Sequence, residues 1–507
     1  MYLFHVFRSF LPLRNPIGFG AADFVSFAVT ALLVLCVLLW PLLKPYVSKI
    51  ETRTRWSMLL LALLPIMLRL ILLPRYPTPE PSTSKDFSYL LQAGAILHAR
   101  FANPPHPFHR FFETAFVLQQ PTYSSVLPPG QGIALAAGQA LFGHSWAAVL
   151  LSAAAFSAAC FWMLRGWTKP GWALLGGLLA VFQFGPLSSW MNSYAGGAIS
   201  AIAGCLVFGA LPRLQAEWRQ RDAVLLGAGI ALQLLARPFE CALLVVSAAL
   251  FFAPSLRQRD LRRKLLKTLP LVAIVVLPGI LFLLLYNQQV TGNWTMSQYE
   301  TGLVDRLRVL RFFLYAPLYV GLALFLWSVR EWRFAWVLAT LLLFLAGANF
   351  HPDSIACVAC LFLLAAVTGL EKCSRCTVQV VVSLCVAQFL FWYSLHLIAP
   401  GEVIAGMTRY QTRDVIHHGH PEDRASVQSQ LAQTGGKQLV FVRNRRGRSV
   451  SDWIHNDADI DRSRIIWARD LGPEEDEKLR NYYPDRTPWL LQTDRRPLKL
   501  EPYRNLP

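Results

Sequence analysis

Residues 269–286 read LPLVAIVVLPGILFLLLY, a run without a single charged side chain. As a helix it reaches about 27 Å, close to the roughly 30 Å hydrocarbon core of a bilayer. Comparable runs recur at 23–43, 57–74, 146–164, 172–186, 197–212, 222–236, 239–253, 312–328, 334–348, 354–369 and 377–398. Only 15% of the chain is charged, against about 25% in an average soluble protein. The expected fold class is an all-α polytopic membrane protein with about twelve transmembrane helices. Segments 222–236 and 239–253 are short for a full crossing and read as half-helices or one broken hairpin. The N-terminal MYLFHVFRSFLPLRNP shows no cleavable signal peptide.

The net charge of +18 does not point to nucleic acid, because the basic residues follow the alternation of the spans. Lys44, Lys49, Arg53 and Arg55 lie between the first two spans, Arg165 and Lys169 after the third, and Arg213, Arg219 and Arg221 after the fifth. PSLRQRDLRRKLLKT, Arg330 with Arg333, and Lys372 with Arg375 continue the series. These loops fall on one side if the spans simply alternate, so that side is cytoplasmic. The N-terminus, the loop 75–130, WMNSYAGG, ARPFEC, NFHPD and the tail then face outward. The chain divides into a membrane domain, residues 1–398, and a soluble extracytoplasmic domain, residues 399–507. In the latter KQLVFVR, RIIWARD and PWLLQ read as buried strands, with EDRASVQSQLA and EEDEKLRNYY as helices, which makes a small α/β fold.

Cys357, Cys360, Cys373 and Cys376 have a zinc-like spacing, but a membrane helix at 354–369 would hold the two pairs about 24 Å apart. Four zinc ligands must each approach to about 2.3 Å, so these cysteines read as packing residues. The DADID run lacks the Gly and the closing Glu of a calcium loop and reads as polar loop.

Polar side chains suited to chemistry gather on the outward side. The first loop carries Asp86, His106, His109, Glu113, Gln119 and Tyr123, and later loops add Asn192, Tyr194, Arg237, Glu240, Tyr286, His351 and Asp353. Asp86 has two readings, a helix cap before FSYLLQAGAIL or a general base at the membrane surface. Arg237, in LLARPFECALL, breaks an apolar run with Pro238 behind it, and a planar guanidinium suits phosphate. An internal pair with Glu240 is the alternative. Arg69, near the outer end of the second span, either contacts phosphate or snorkels to the interface. His106, His109 and Glu113 loosely resemble metal ligands, so a divalent metal is a candidate cofactor, although no metal site is assigned. Phe108, Phe111, Phe112 and Phe116 read as interfacial aromatics.

The segment KDFSYLLQAGAILHARFANPPHPFHRFFETAFVLQQPTYSSVLPPGQGIALAAGQALFGH resembles the first outer loop of bacterial integral-membrane glycosyltransferases of the GT-C type. These include dolichyl-phosphate-mannose protein mannosyltransferase-like and lipid A aminoarabinose transferase-like proteins. The resemblance continues through WMNSYAGGA, ARPFE, YNQQVTGN and ADIDRSRIIWARD. It implies a bacterial inner-membrane enzyme that moves a sugar from a polyprenyl-phosphate donor to a lipid or glycan acceptor, by a single inverting displacement, among membrane lipids. On this resemblance Asp86 is the catalytic base and Arg237 clamps the donor phosphate. Glu240, His106, Glu113, Tyr123, Arg69 and His351 would contact substrate, and the amphipathic helix after Asp86 would lie in the membrane interface. The sequence departs from the family pattern where Lys85 precedes Asp86 and where Phe350-His351-Pro352 keeps only the histidine. A transporter of lipid-linked sugars, or a non-catalytic assembly protein, are the other classes. A transporter would place its polar breaks at mid-membrane and often show internal repeats.

Overall fold

The computed structural model describes residues 21–295, 312–347, 352–398, 424–443, 453–493 and 498–503. The N-terminal sixteen residues and His351 lie outside the described residues. Each predicted span contains helix among its described residues, though 312–328 is interrupted at Leu314 and Tyr315 and 354–369 begins in a turn. Five helices are long and apolar enough to cross a membrane, namely Thr54–Ile71, Trp146–Leu164, Ala198–Glu217, Arg259–Thr291 and Arg375–Ile398. Shorter apolar helices include Pro170–Phe184, Pro238–Phe251, Ala316–Arg330, Trp332–Gly347 and Ala356–Leu370. Gln220–Ala236 packs between Ala198–Glu217 and Arg259–Thr291.

Burial sorts the helices as a bilayer requires. Ala359–Leu370 is apolar on all sides and buried along its whole length, so it is an axis of the bundle. Past its basic first turns, Arg259–Thr291 is also apolar, yet it leaves Ile274, Leu277, Leu281 and Leu285 exposed, the kind of surface that hydrocarbon covers. Close helix contacts use small residues. A Cβ on Gly204 would stand 1.7 Å from the carbonyl oxygen of Cys357, so only glycine lets these two backbones meet.

In the first loop β1 (Val117–Leu118) pairs antiparallel with β2 (Ser124–Ser125), and the C-terminal unit is a four-stranded sheet. Its strands are β3 (Lys437–Arg443), β4 (Ile465–Arg469), β5 (Arg486–Gln492) and β6 (Lys499–Pro502). β3 runs parallel to β4 and β5, and β6 closes the edge antiparallel to β5. Sequence reading finds β3, β4 and β5 but not the short, polar β6. Alternation along β3 explains its apolar run, because both faces are covered. Leu439 and Phe441 join Phe111, Phe112 and Tyr123 of the first loop, whereas Val440 and Val442 pack with Val427, Leu431 and Trp467.

Candidate active site

Helix Ser84–Leu97 begins with a capping box. The Thr83 hydroxyl accepts the backbone N–H of Asp86, and the Asp86 carboxylate reaches back to the backbone N–H of Thr83. That reading of Asp86 is therefore realised, but it accounts for only half of the carboxylate. Oδ2 accepts the N–H groups of Ser82 and Thr83 at 3.2 and 3.1 Å and the Thr83 hydroxyl at 2.9 Å. Oδ1 accepts the Ser193 hydroxyl at 2.6 Å and the N–H groups of Tyr194 and Ala195 at 2.7 and 2.8 Å. The side chain is 1% exposed. A carboxylate offers about four lone-pair sites, so Asp86 is fully coordinated by the chain itself. It ties the first loop to the Ser193–Ala195 turn of the bundle.

The expected interfacial helix is instead buried on two sides. Tyr89 and Ala93 pack with Leu135 and Trp146, and Leu91 packs with the C-terminal sheet. Its buried Ser88 hydroxyl and Gln92 amide N–H groups have partners, while Gln92 Oε1 has none. Ser88 Oγ lies 2.7 Å from Phe116 O and from Ser125 Oγ, and Gln92 Nε2 donates to Leu127 O and to the Tyr286 hydroxyl.

Arg69 does not snorkel to the interface but is buried. It is 1% exposed and donates from Nε to Asn192 Oδ1 at 2.8 Å and from Nη1 and Nη2 to Tyr76 O and Pro77 O at 3.0 Å each. Its guanidinium lies 4.9 Å from the Trp146 ring centroid. Asn192 in turn donates to Pro186 O and Ser188 O. Two charged residues thus hold the WMNSYA segment, Arg69 by Asn192 and Asp86 by the turn that follows.

The same turn reaches Arg237. Tyr194 O accepts from Gln131 Nε2 at 2.8 Å. The neighbouring Gly130 sits so close to Leu235 and Ala236 that a Cβ there would lie 2.9–3.0 Å from their backbone. Arg237 follows immediately, extended (φ −152°, ψ 85°) between helices Gln220–Ala236 and Pro238–Phe251. Pro238 disfavours a helical conformation at the residue before it, which is why the break falls there. Glu240 is buried in the first turn of the second helix, where the dipole favours an acid. Trp190, two residues before Asn192, donates its indole N–H to Asp353 at 3.2 Å. Asp86 and Arg69 therefore hold one segment of the bundle, and its backbone is tied through Gln131 and Gly130 to the chain just before Arg237. Sequence reading had not singled out Ser193 or the backbone N–H groups of Tyr194 and Ala195, because a turn that binds a distant carboxylate has no local signature.

His106, Glu113 and Tyr123 are placed elsewhere, in the seam between the first loop and the C-terminal unit. His106 Nδ1 accepts the Phe108 N–H at 3.0 Å, so Nε2 carries the ring proton. Nε2 lies 2.9 Å from the Tyr483 hydroxyl and 3.3 Å from Asp461, and Tyr483 donates to that same carboxylate. Burial pushes the His106 imidazole below its usual range against the opposing pull of Asp461. Glu113 Oε2 accepts from Arg469 at 3.0 Å, and the Tyr123 hydroxyl donates to Asn456 O. Phe111 and Phe112, expected at a membrane interface, are buried against the sheet instead. His106 and Glu113 turn to different partners, and among the described residues no three His, Cys, Asp or Glu side chains are placed to hold a metal ion.

No family model matches the sequence, and no curated protein matches it. Solved structures do. ArnT from Cupriavidus metallidurans in the apo state superposes with a TM-score of 0.53 at 13% identity, over 87% of this chain and 93% of that one. The Archaeoglobus fulgidus oligosaccharyltransferase in complex with Zn and sulfate gives 0.51 at 11% identity, over 86% of this chain and 67% of that one. Both are GT-C glycosyltransferases. The chain shares the GT-C fold of these two structures.

Proposed function

We propose that this protein is a glycosyltransferase that moves a sugar from a polyprenyl-phosphate donor to a lipid or glycan hydroxyl. The reaction would take place at the outer face of the bacterial cytoplasmic membrane, with the C-terminal unit on that side and about twelve spans beneath it. The observation that carries the reading is the framework running from Asp86 through the Ser193–Ala195 turn and Gly130 to Arg237. On this reading the Asp86 carboxylate and the Arg237 guanidinium work at one end of the apolar bundle, where a lipid-borne phosphate would meet an acceptor.

In this reading the acceptor hydroxyl takes the place of the Ser193 hydroxyl on Asp86 Oδ1, a like-for-like exchange of one donor. As the acceptor oxygen attacks the anomeric carbon, its proton passes to Asp86. The bond from that carbon to the phosphate oxygen breaks, and the electron pair leaves with the lipid phosphate. Attack in line inverts the anomeric centre. Arg237 stabilises the charge that grows on the departing phosphate. Glu240 lines the donor side. Arg69 contributes by fixing Asn192. His106, Glu113 and Tyr123 act at a distance by seating the C-terminal unit. No metal is required by this step.

Turnover of labelled polyprenyl-phosphate sugars by Asp86→Asn and Ser193→Ala proteins tests the assignment. The first should abolish transfer, and the second should retain it, since only a placeholder hydroxyl is removed. Transfer that survives in Asp86→Asn would leave Asp86 a purely structural cap. Donor carried across the membrane without bond cleavage would replace the enzyme with a transporter.

A further inference from the structure

A groove of about 760 Å³ runs along the exposed side of helix Thr54–Ile71, well away from Asp86, and falls in the size range of small-molecule sites. One end is formed by Lys49, Arg53 and Trp56, and the remainder by Leu59, Leu60, Leu63, Leu64 and Met67. No acidic side chain lines it. Glu51, the acid on the same turn as the two cations, points to Gly171 instead, where a Cβ would lie 2.9 Å from its carboxylate. No ion pair is formed by Lys49 or Arg53 among the described residues.

We propose that this groove is a binding site for one anionic glycerophospholipid, with its phosphate on Lys49 and Arg53 and an acyl chain along Leu60, Leu63 and Met67. Charge and polarity are graded along the groove as in such a lipid: first Lys49 in the last turn of helix Ala21–Thr52 and Arg53 at the break before Thr54, then an indole, then only hydrocarbon. Trp56, 62% exposed, supplies the amphipathic ring that favours the headgroup boundary. From Arg53 to Met67 the helix rises about 21 Å, the reach of an extended acyl chain and more than a bare headgroup or a free phosphate would use. Two basic residues at the junction of the two helices exceed what a zwitterionic lipid would recruit, because attraction to an anionic headgroup accumulates with each one.

The full-length protein, purified in detergent and exchanged into phosphatidylglycerol or phosphatidylcholine, provides the test by native mass spectrometry. One phosphatidylglycerol should be retained per chain after delipidation, and phosphatidylcholine should not. Lys49→Ala with Arg53→Ala should weaken retention about thirtyfold. Leu60→Trp, which fills the track and keeps both charges, should also remove the bound lipid. Melting temperatures of the variants in lipid-free detergent should match wild type, since all three positions are exposed. Equal retention of both lipids, retention unchanged in the double variant, or inorganic phosphate competing as well as the lipid would overturn the proposal.

Discussion

The ring of Phe87 stacks on that of His455, centroids 4.4 Å apart and planes 10° from parallel, while the residue before it, Asp86, accepts the N–H of Ala195. Consecutive residues of one helix thus hold the two halves of the molecule, the carboxylate gripping the bundle and the ring gripping the C-terminal unit. Arg424 reinforces the second grip, its guanidinium 4.4 Å from the Phe87 ring and 4.7 Å from that of Trp467. A displacement of the C-terminal unit is therefore felt one residue from Asp86.

Replacing Asp86 should damage the fold as well as any reaction. An asparagine amide turned toward either cluster faces donors with a donor, and at least one set of three hydrogen bonds is lost. Hydrogen bonds to charged groups contribute about 1.5–3 kcal/mol each, so Asp86→Asn should destabilise by roughly 3 kcal/mol or more. Ser193→Ala, which removes one donor of six, should cost no more than about 2 kcal/mol. Thermal unfolding of the two variants in the same detergent checks the order, and equal melting temperatures would contradict it.

Arg69 should not be replaceable by lysine. A single ammonium cannot span Asn192 Oδ1, Tyr76 O and Pro77 O, which the planar guanidinium reaches from three nitrogens. Arg69→Lys should lower stability by about 2–4 kcal/mol, through buried acceptors left without donors. A change under about 0.5 kcal/mol would mean that the site relaxes around the shorter head.

Tyr483→Phe removes the hydroxyl shared by His106 and Asp461, and should loosen the seam by about 1–2 kcal/mol. Hydrogen exchange should quicken at Phe111, Phe112 and the strand Ile465–Arg469, which pack across it. The Thr54–Ile71 helix should exchange as in wild type.

Acid should open the Phe87–His455 contact. Burial, assisted by Arg424, depresses the His455 imidazole from 6.5 to about 3. Between those values the unfolded chain binds the proton that the folded chain refuses. The stability that His455 contributes is therefore complete above pH 6.5 and declines as pH falls toward 3. The slope for one proton is about 1.4 kcal/mol per pH unit. Asp476, held up to about 7 by burial, acts with the opposite sign, because stability from a carboxyl with a raised pKa falls as pH rises. The difference between wild type and His455→Asn isolates the histidine. It should shrink from pH 7 to pH 4, and a constant difference would contradict the assignment.

Apolar runs such as 269–286 made the bundle legible, since length and lack of charge are local properties of a chain in lipid. The strands of the C-terminal unit were equally legible, because KQLVFVR is covered on both faces. What each polar residue touches was not. His106 meets Asp461 and Tyr483 from 355 and 377 positions away, and Arg69 meets Asn192 from 123. In sequence, a histidine between two prolines looks the same whether it faces a substrate or a second structural unit. Asp86 satisfied its local signature, the capping box, while its other oxygen answered to a turn more than a hundred residues later.

The most direct measurement is turnover of labelled polyprenyl-phosphate sugars by the purified protein in lipid, wild type beside Arg237→Ala. The account predicts transfer to a hydroxyl acceptor, or slow donor hydrolysis without one. Both should be lost in the variant, together with at least about tenfold in donor affinity. Turnover and donor affinity unchanged in Arg237→Ala, or no turnover by wild type with any bound donor, would contradict it.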